Sequence, residues 1–200
     1  MNAAAIIGNG RSRKDFDLMQ FHRASIPIWG CNALYREYDA VARPIPDKLV
    51  MVDDGIILEV ADSAFPPERV VLPSEDERWE PFAANPNRPR MNAGMAAMSI
   101  AIDRGYDALL CLGFDFLMLK AADSVSNLYD GTVNYGPETR ANHADTPNRM
   151  RFLHWFVAQH PNVTFQFVFP ENTTIATMFS TNVKFITYGH LNMELSRFPA

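Results

Sequence analysis

The chain has 200 residues, of which 48% are apolar and 20% charged, as expected for a globular domain with a sizeable core. Its net charge of −5 argues against a general binder of nucleic acid or of an anionic membrane surface. No apolar run approaches the roughly 18 residues of a membrane span, and the basic start of a secretory signal is missing. We therefore expect a cytoplasmic protein without a membrane span, folded as one domain over residues 1–200.

The first predicted element is a charge-free apolar run at residues 3–7, which indicates a strand buried on both faces. It ends in Gly8, Asn9 and Gly10, and Ser12 follows two residues later. The glycines let a ligand approach closely, and N–H groups at such a turn favour anions such as phosphate. The third glycine of the dinucleotide fingerprint and the Lys-Ser/Thr of a P-loop are both missing, which disfavours those two classes. A plain tight turn is the alternative.

Two further apolar runs, at residues 26–31 and 48–52, predict strands that also end in polar side chains. Asn32 follows the first run, and Asp53 follows the second. The segments beside these strands are predicted to be a weakly helical stretch at 13–21, a short helix or turn at 33–38 and a helix at 56–63.

The strongest predicted helix covers residues 94–102, with Asn92 as its N-cap and Gly94 in its first turn. This helix is apolar on nearly all sides, so we expect it to pack against a sheet. Before it, residues 65–89 are rich in proline and charge, and residues 70–72 are the only strand-like island there.

A buried strand is predicted at residues 108–112, ending at Gly113 and Asp115. The alternation of strand and helix predicts an α/β, Rossmann-like fold, with a mostly parallel sheet and helices on both faces. The polar residues that follow the strands should then meet at one edge, where open α/β sheets bind their ligands.

Residues 117–146 form a long polar stretch, which we interpret as a lid because loops of this length are usually functional or disordered. The stretch carries Tyr129, Tyr135 and His143. His143 is the candidate general base, since an imidazole titrates near neutral pH and can accept a hydroxyl proton. A solvated loop histidine is the alternative.

The last third of the chain predicts a helix from residue 146 to about 160 and a strand at 163–169 near the sheet edge. A short helix at 173–179 and a strand at 183–186 are predicted in the tail. Cys31 and Cys111 lie in or beside apolar runs, which fits reduced structural thiols better than a disulfide or metal framework.

Four motifs in order carry a resemblance to known families. They are Ile-Ile-Gly-Asn-Gly-x-Ser at 6–12, Gly-Cys-Asn at 30–32, Asn-Ala-Gly with an alanine-rich helix at 92–101, and Leu-Gly-Phe-Asp-Phe at 112–116. Together they resemble the bacterial sialyltransferases that use CMP-sialic acid. They are almost equally similar to the group of archaeal hydroxymethylpterin diphosphokinase and the flagellin-glycosylating motility accessory factors. The resemblance covers residues 3–117.

The resemblance to the sialyltransferases implies a nucleotide-sugar site with His143 as the general base and tyrosines that hold the leaving phosphate. Leu117 stands where that family has its tyrosine, which leaves Tyr129 and Tyr135 as replacements. Contacts to the nucleotide or donor are implied or expected for Gly8, Asn9, Gly10, Ser12, Asn32, Gly94, Gly113 and Asp115.

The preferred hypothesis is therefore a glycosyltransferase-like transferase that takes a CMP-sugar donor and requires no cofactor. The first alternative is a magnesium-dependent diphosphotransferase with Asp53 and Asp115 on the metal, because Mg²⁺ prefers carboxylate and phosphate oxygens. The second is a non-catalytic module that binds a nucleotide or a partner. The short chain leaves little room for an acceptor domain, so completion of the site by a partner or by a homo-oligomer stays open.

Overall fold

The computed structural model describes residues 2–73, 92–119, 127–137, 145–175 and 180–196. The strands are β1 (Ala3–Ile7), β2 (Ile28–Cys31), β3 (Lys48–Val50), β4 (Val70–Val71), β5 (Ala108–Leu112), β6 (Thr164–Phe169) and β7 (Val183–Thr187). The α-helices are α1 (Met19–Arg23), α2 (Asp54–Ala61), α3 (Ala93–Asp103), α4 (Asp145–Gln159) and α5 (Tyr188–Leu195). Short 3-10 helices lie at Arg11–Arg13, Asn32–Glu37, Pro67–Arg69 and Asp115–Leu117.

The seven strands form one sheet in the order β4-β3-β2-β1-β5-β6-β7, and every neighbouring pair is parallel. The predicted α/β, Rossmann-like fold is confirmed. Strands β2, β3 and β4 follow β1 in order toward one edge of the sheet, and β6 and β7 follow β5 in order toward the other edge. The strand order thus reverses between β1 and β5, and ligand crevices in open α/β sheets lie beside such a reversal.

The core lies on both faces of this sheet. Ala4 and Ile6 of β1 face the layer built by α3 and α4, while Ala5 and Ile7 face the layer built by α1, α2 and α5. All four side chains are fully buried. This burial on both sides explains why residues 3–7 contain no charge.

The N-terminus of α3 forms as its sequence predicts. Asn92 has an extended backbone, and its side-chain oxygen accepts a hydrogen bond from the Met95 N–H at 3.0 Å. Seven residues of α3 are buried, in keeping with its lack of a polar face. The helix packs across β1, β2 and β3, and its N-terminus lies beside the carboxyl ends of these parallel strands.

Several predicted bounds differ from the structure. The stretch 13–21 is mostly turn, with α-helix only from Met19. Strand β3 ends at Val50, before the predicted residue 52, and α2 begins at Asp54, before the predicted residue 56. In the tail, residues 173–175 are not helical, and Ile175 instead forms a bridge with Met118. Helix α5 is not predicted by the sequence pattern, because only Leu191 and Leu195 give it a buried face.

The cysteines Cys31 in β2 and Cys111 in β5 are buried and free. Burial raises the pKa of Cys31 to about 12, so its thiol stays protonated at neutral pH. Within the described parts of the chain, no helix combines the length and the apolar character that crossing a bilayer requires.

Candidate functional site

The loops after β1 and β5 are joined by backbone hydrogen bonds at the carboxyl edge of the sheet. The Gly8 N–H donates to the Leu112 carbonyl at 2.8 Å, and the Gly10 N–H donates to the Gly113 carbonyl at 3.1 Å. A Cβ atom on Gly8 would lie 2.7 Å from the Gly113 oxygen. The glycines are therefore needed for the approach of the two loops. Their N–H groups, expected to face a phosphate, are occupied because the pairing of β1 with β5 continues past the strand ends.

Ser12 and Asp115 form the polar contact at the point where the strand order reverses. The Ser12 N–H donates to Asp115 Oδ2 at 3.0 Å, and the Ser12 hydroxyl donates to Oδ1. Asp115 is only 7% exposed, and this burial raises the pKa of its carboxyl group although the bonds from Ser12 act in the opposite direction. The structure thus holds an acidic group with a perturbed pKa in the predicted crevice, an arrangement that is common at functional sites.

Asn9, Asn32 and Tyr135 come together beside this contact. Asn9 Nδ2 donates to the Tyr135 hydroxyl at 3.1 Å, and Tyr135 also interacts with the Asn32 side chain. Asn32 Nδ2 donates in turn to Asp53 Oδ2 at 2.5 Å. Burial, and then the charge of Asp53, raise the pKa of Tyr135, so its hydroxyl keeps its proton at neutral pH. These residues come from four separate segments and gather at one edge, as predicted.

A buried arginine, Arg13, holds the glycine loop in place, and the sequence pattern does not single it out. The Arg13 side chain is 3% exposed, and its Nε donates to the Gly8 carbonyl at 2.7 Å. Its Nη2 donates to Glu37 Oε1 at 2.8 Å and to the Tyr129 hydroxyl at 3.0 Å. Burial raises the pKa of Tyr129, so this predicted site residue is also protonated. A basic residue after a glycine turn usually faces solvent, which is why the pattern gives no signal for Arg13.

The remaining predicted residues differ in their setting. Gly94 lies beneath an aromatic ring, with the Cζ of Phe114 3.0 Å from the position of a Cβ atom. His143 lies outside the described residues. Asp53 is exposed and accepts a hydrogen bond from Asn32, whereas Asp115 is buried and accepts its hydrogen bonds from Ser12. Across the described ranges, no three His, Cys, Asp or Glu side chains are grouped so as to hold a metal ion.

The side chains that meet at this edge carry amide, hydroxyl and carboxylate groups. Asn9 Oδ1 is buried and accepts no hydrogen bond from the described part of the chain. A buried acceptor of this kind is usually satisfied by a water or a ligand.

Comparison with models of protein families, with curated proteins and with solved structures finds no match for this chain.

Proposed function

We propose that the chain is a transferase that binds a nucleotide-activated donor, a CMP-sugar, at the carboxyl edge between β2, β1 and β5. The observation that carries the proposal is the convergence of Asn9, Asn32 and Tyr135 beside the reversal of strand order. Amide and hydroxyl groups in fixed positions suit the hydroxyls of a ribose and the edge of a base. Asn9 Oδ1, which has no partner among the described residues, would accept a hydrogen bond from such a ligand.

The protonated Tyr135 supports a role in holding the leaving phosphate. The raised pKa of Tyr135 means that its hydroxyl offers a donor rather than a charge that would repel an anion. The Tyr129 hydroxyl is also protonated, but it already donates to Glu37 Oε1 at 2.7 Å. A phosphate leaving group needs little activation, and positioning with charge neutralisation would supply most of the rate. His143 is the base that the sequence proposes for the acceptor hydroxyl.

The magnesium-dependent alternative fits the described residues less well. Asp115 accepts two hydrogen bonds from Ser12 and is buried, whereas Asp53 is exposed and accepts a hydrogen bond from Asn32. The two carboxylates therefore do not form a shared pair of oxygen ligands of the kind that Mg²⁺ uses. We derive no step through a metal ion.

The proposal is tested by thermal shift with CMP, CDP, GDP and ATP, each with and without Mg²⁺. We expect CMP to raise the melting temperature without metal. Asn9→Ala should remove this shift, and Asn2→Ala should keep it, because Asn2 lies at the opposite end of β1 and its side chain bonds only the Gly105 carbonyl among the described residues.

Each other outcome contradicts the proposal in its own way. A shift with ATP that requires Mg²⁺ would support the diphosphotransferase. No shift with any nucleotide would indicate a module with another partner. A CMP shift that Asn9→Ala leaves intact would place the nucleotide elsewhere on the chain.

A further inference from the structure

Residues 127–137 lie across the carboxyl edge and close part of the candidate site. The Leu128 N–H donates to the Asn9 carbonyl at 2.9 Å, and Asn127 forms an isolated bridge with Gly10. Further along the segment, the Tyr135 hydroxyl accepts the bond from Asn9 described above. The placement of Tyr135 therefore depends on what holds this segment to the body of the protein.

Arg36 and Glu59 form an ion pair on that body. Arg36 lies in the 3-10 helix after β2, and Glu59 lies in α2. The Arg36 Nε donates to Glu59 Oε1 at 2.8 Å and its Nη2 donates to Oε2 at 2.8 Å, which is a bidentate fork. Both side chains are about one-fifth to one-quarter exposed, at 19% and 26%. The pair joins two elements that precede the segment in the chain.

The other side of the Arg36 guanidinium contacts the segment itself. Nη1 donates to Thr132 Oγ1 at 2.5 Å, and Nη2 donates to the Val133 carbonyl at 2.8 Å. The guanidinium carbon lies 5.6 Å from the ring centre of Tyr129 and 5.5 Å from that of Tyr135, within the range of cation–π attraction. One side chain thus contacts four residues of the segment.

Glu59 adds a second attachment from α2. Asn134 Nδ2 donates to Glu59 Oε2 at 2.8 Å and to the Gly55 carbonyl at 3.2 Å. Asn134 adopts a left-handed backbone with φ +62°, which asparagine tolerates better than most residues. Both members of the ion pair therefore hold the same short stretch that ends in Tyr135.

We propose that Arg36 is a positioning residue of the nucleotide site, which holds residues 127–137 on Glu59 so that the Tyr135 hydroxyl stays beside Asn9. This inference rests on the proposed function. Arg36 would act on the ligand through Tyr135, without touching it. Lysine cannot replace it, because an ammonium group lacks the planar fork that reaches Glu59, Thr132 and Val133 together.

The first test measures backbone amide exchange of the full chain without ligand. Both Arg36→Ala and Arg36→Lys should speed exchange in residues 127–137 by about tenfold or more, because each removes attachments of the segment. Arg23→Ala is the matched control, since Arg23 forms an exposed ion pair with Asp17. That control should leave the segment unchanged. Exchange at wild-type rates in both Arg36 variants would overturn the proposal.

The second test is a double-mutant cycle on CMP affinity. Tyr135→Phe and Arg36→Ala should each weaken binding by about tenfold, and the double variant should lose no more than Arg36→Ala alone. Losses that multiply to about a hundredfold would show that Arg36 does not act through Tyr135, and would overturn the proposal.

The two tests separate this proposal from the proposed function. If the wild type binds no nucleotide, the nucleotide proposal fails and the positioning role fails with it, whatever the exchange rates show. If CMP binds and exchange is unchanged in both Arg36 variants, the nucleotide proposal stands and the positioning role alone is overturned.

Discussion

Ser12 donates two hydrogen bonds to Asp115, although the two residues are 103 positions apart in the chain. The contact ties the loop after β1 to the loop after β5, at the one place in the sheet where the strand order reverses. Gly10 makes it possible, because a Cβ atom there would lie 2.3 Å from Asp115 Oδ1. Burial of the Asp115 carboxylate costs stability, which its two hydrogen bonds from Ser12 offset in part.

Asp115 should make the protein less stable as the pH rises. Its folded pKa is raised, mainly by burial, so its contribution is full below the unfolded pKa and is lost as pH rises through the folded pKa. The free energy of unfolding of the wild type, relative to Asp115→Asn, should therefore fall as the pH rises from about 4 toward neutral. Urea unfolding across this range measures the difference.

Asp39→Asn provides a control, because the pKa of Asp39 is shifted in the opposite direction to that of Asp115. The N–H groups of Ala42 and Val41 lower the pKa of Asp39, so its stabilisation is lost as pH falls. Relative to Asp39→Asn, the wild type should gain stability as the pH rises to about 4 and should change little above that pH. Parallel behaviour of the two variants would contradict the assignment for Asp115.

Gly113→Ala should cost far more than Gly105→Ala. Both glycines have a left-handed backbone, with φ +75° and +89°, so both variants pay about 1–2 kcal/mol of backbone strain. A Cβ atom on Gly105 meets open space, whereas one on Gly113 would lie 2.6 Å from the Gly8 carbonyl oxygen. Gly113→Ala should therefore lower the free energy of unfolding by about 2 kcal/mol more. Equal losses in denaturant unfolding would show that the two loops can separate freely.

The fold could be predicted because its signals are local. The charge-free strands, the Asn92 cap and the polar strand tips follow from burial on two faces and from backbone chemistry. These signals also predicted that Asn9 and Asn32 would lie at one edge. Their roles toward a ligand remain predictions.

The attachments within the site could not be predicted in the same way. Arg13 and Arg36 look like ordinary surface residues in the sequence, and their partners Glu37 and Glu59 lie about two dozen positions away. No periodicity in the sequence indicates which charged side chains will pair across such a sequence separation. The best available signal is the run from Tyr35 to Tyr38, in which two charged residues lie between two tyrosines shortly after the end of β2.

Arg13→Met should destabilise the protein by about 3 kcal/mol at pH 7, because it leaves the charge of Glu37 without its main partner. Burial by itself raises the pKa of Glu37, but the charge and hydrogen bonds of Arg13 outweigh it, and the pKa lies below its usual value of 4.5. The stabilisation is therefore present above that value and lost as pH falls. Urea unfolding should show the gap between wild type and variant narrowing toward pH 3.

Arg23→Met is the matched change on the surface. Arg23 and Asp17 are both more than half exposed, so this variant should lose less than about 1 kcal/mol. A loss for Arg13→Met as small as that of the control would mean that the buried pair contributes nothing to the fold. A gap that widens in acid would contradict the lowered pKa of Glu37.

Gly55→Ala should weaken the attachment of residues 127–137 without lowering the free energy of unfolding of the whole protein. Alanine favours the helical backbone of α2 by up to about 1 kcal/mol over glycine. The new Cβ atom would lie 2.4 Å from Asn134 Oδ1, so the Asn134 side chain must leave the Gly55 carbonyl. We expect an unchanged or higher free energy of unfolding together with faster amide exchange at residues 133–135. Asn134→Ala leaves the helix sequence unchanged but removes the bonds to both the Gly55 carbonyl and Glu59, and it places alanine at φ +62°, so it should raise exchange at least as much. A Gly55→Ala variant that exchanges like the wild type would mean that the bond from Asn134 to the Gly55 carbonyl contributes nothing to holding the segment.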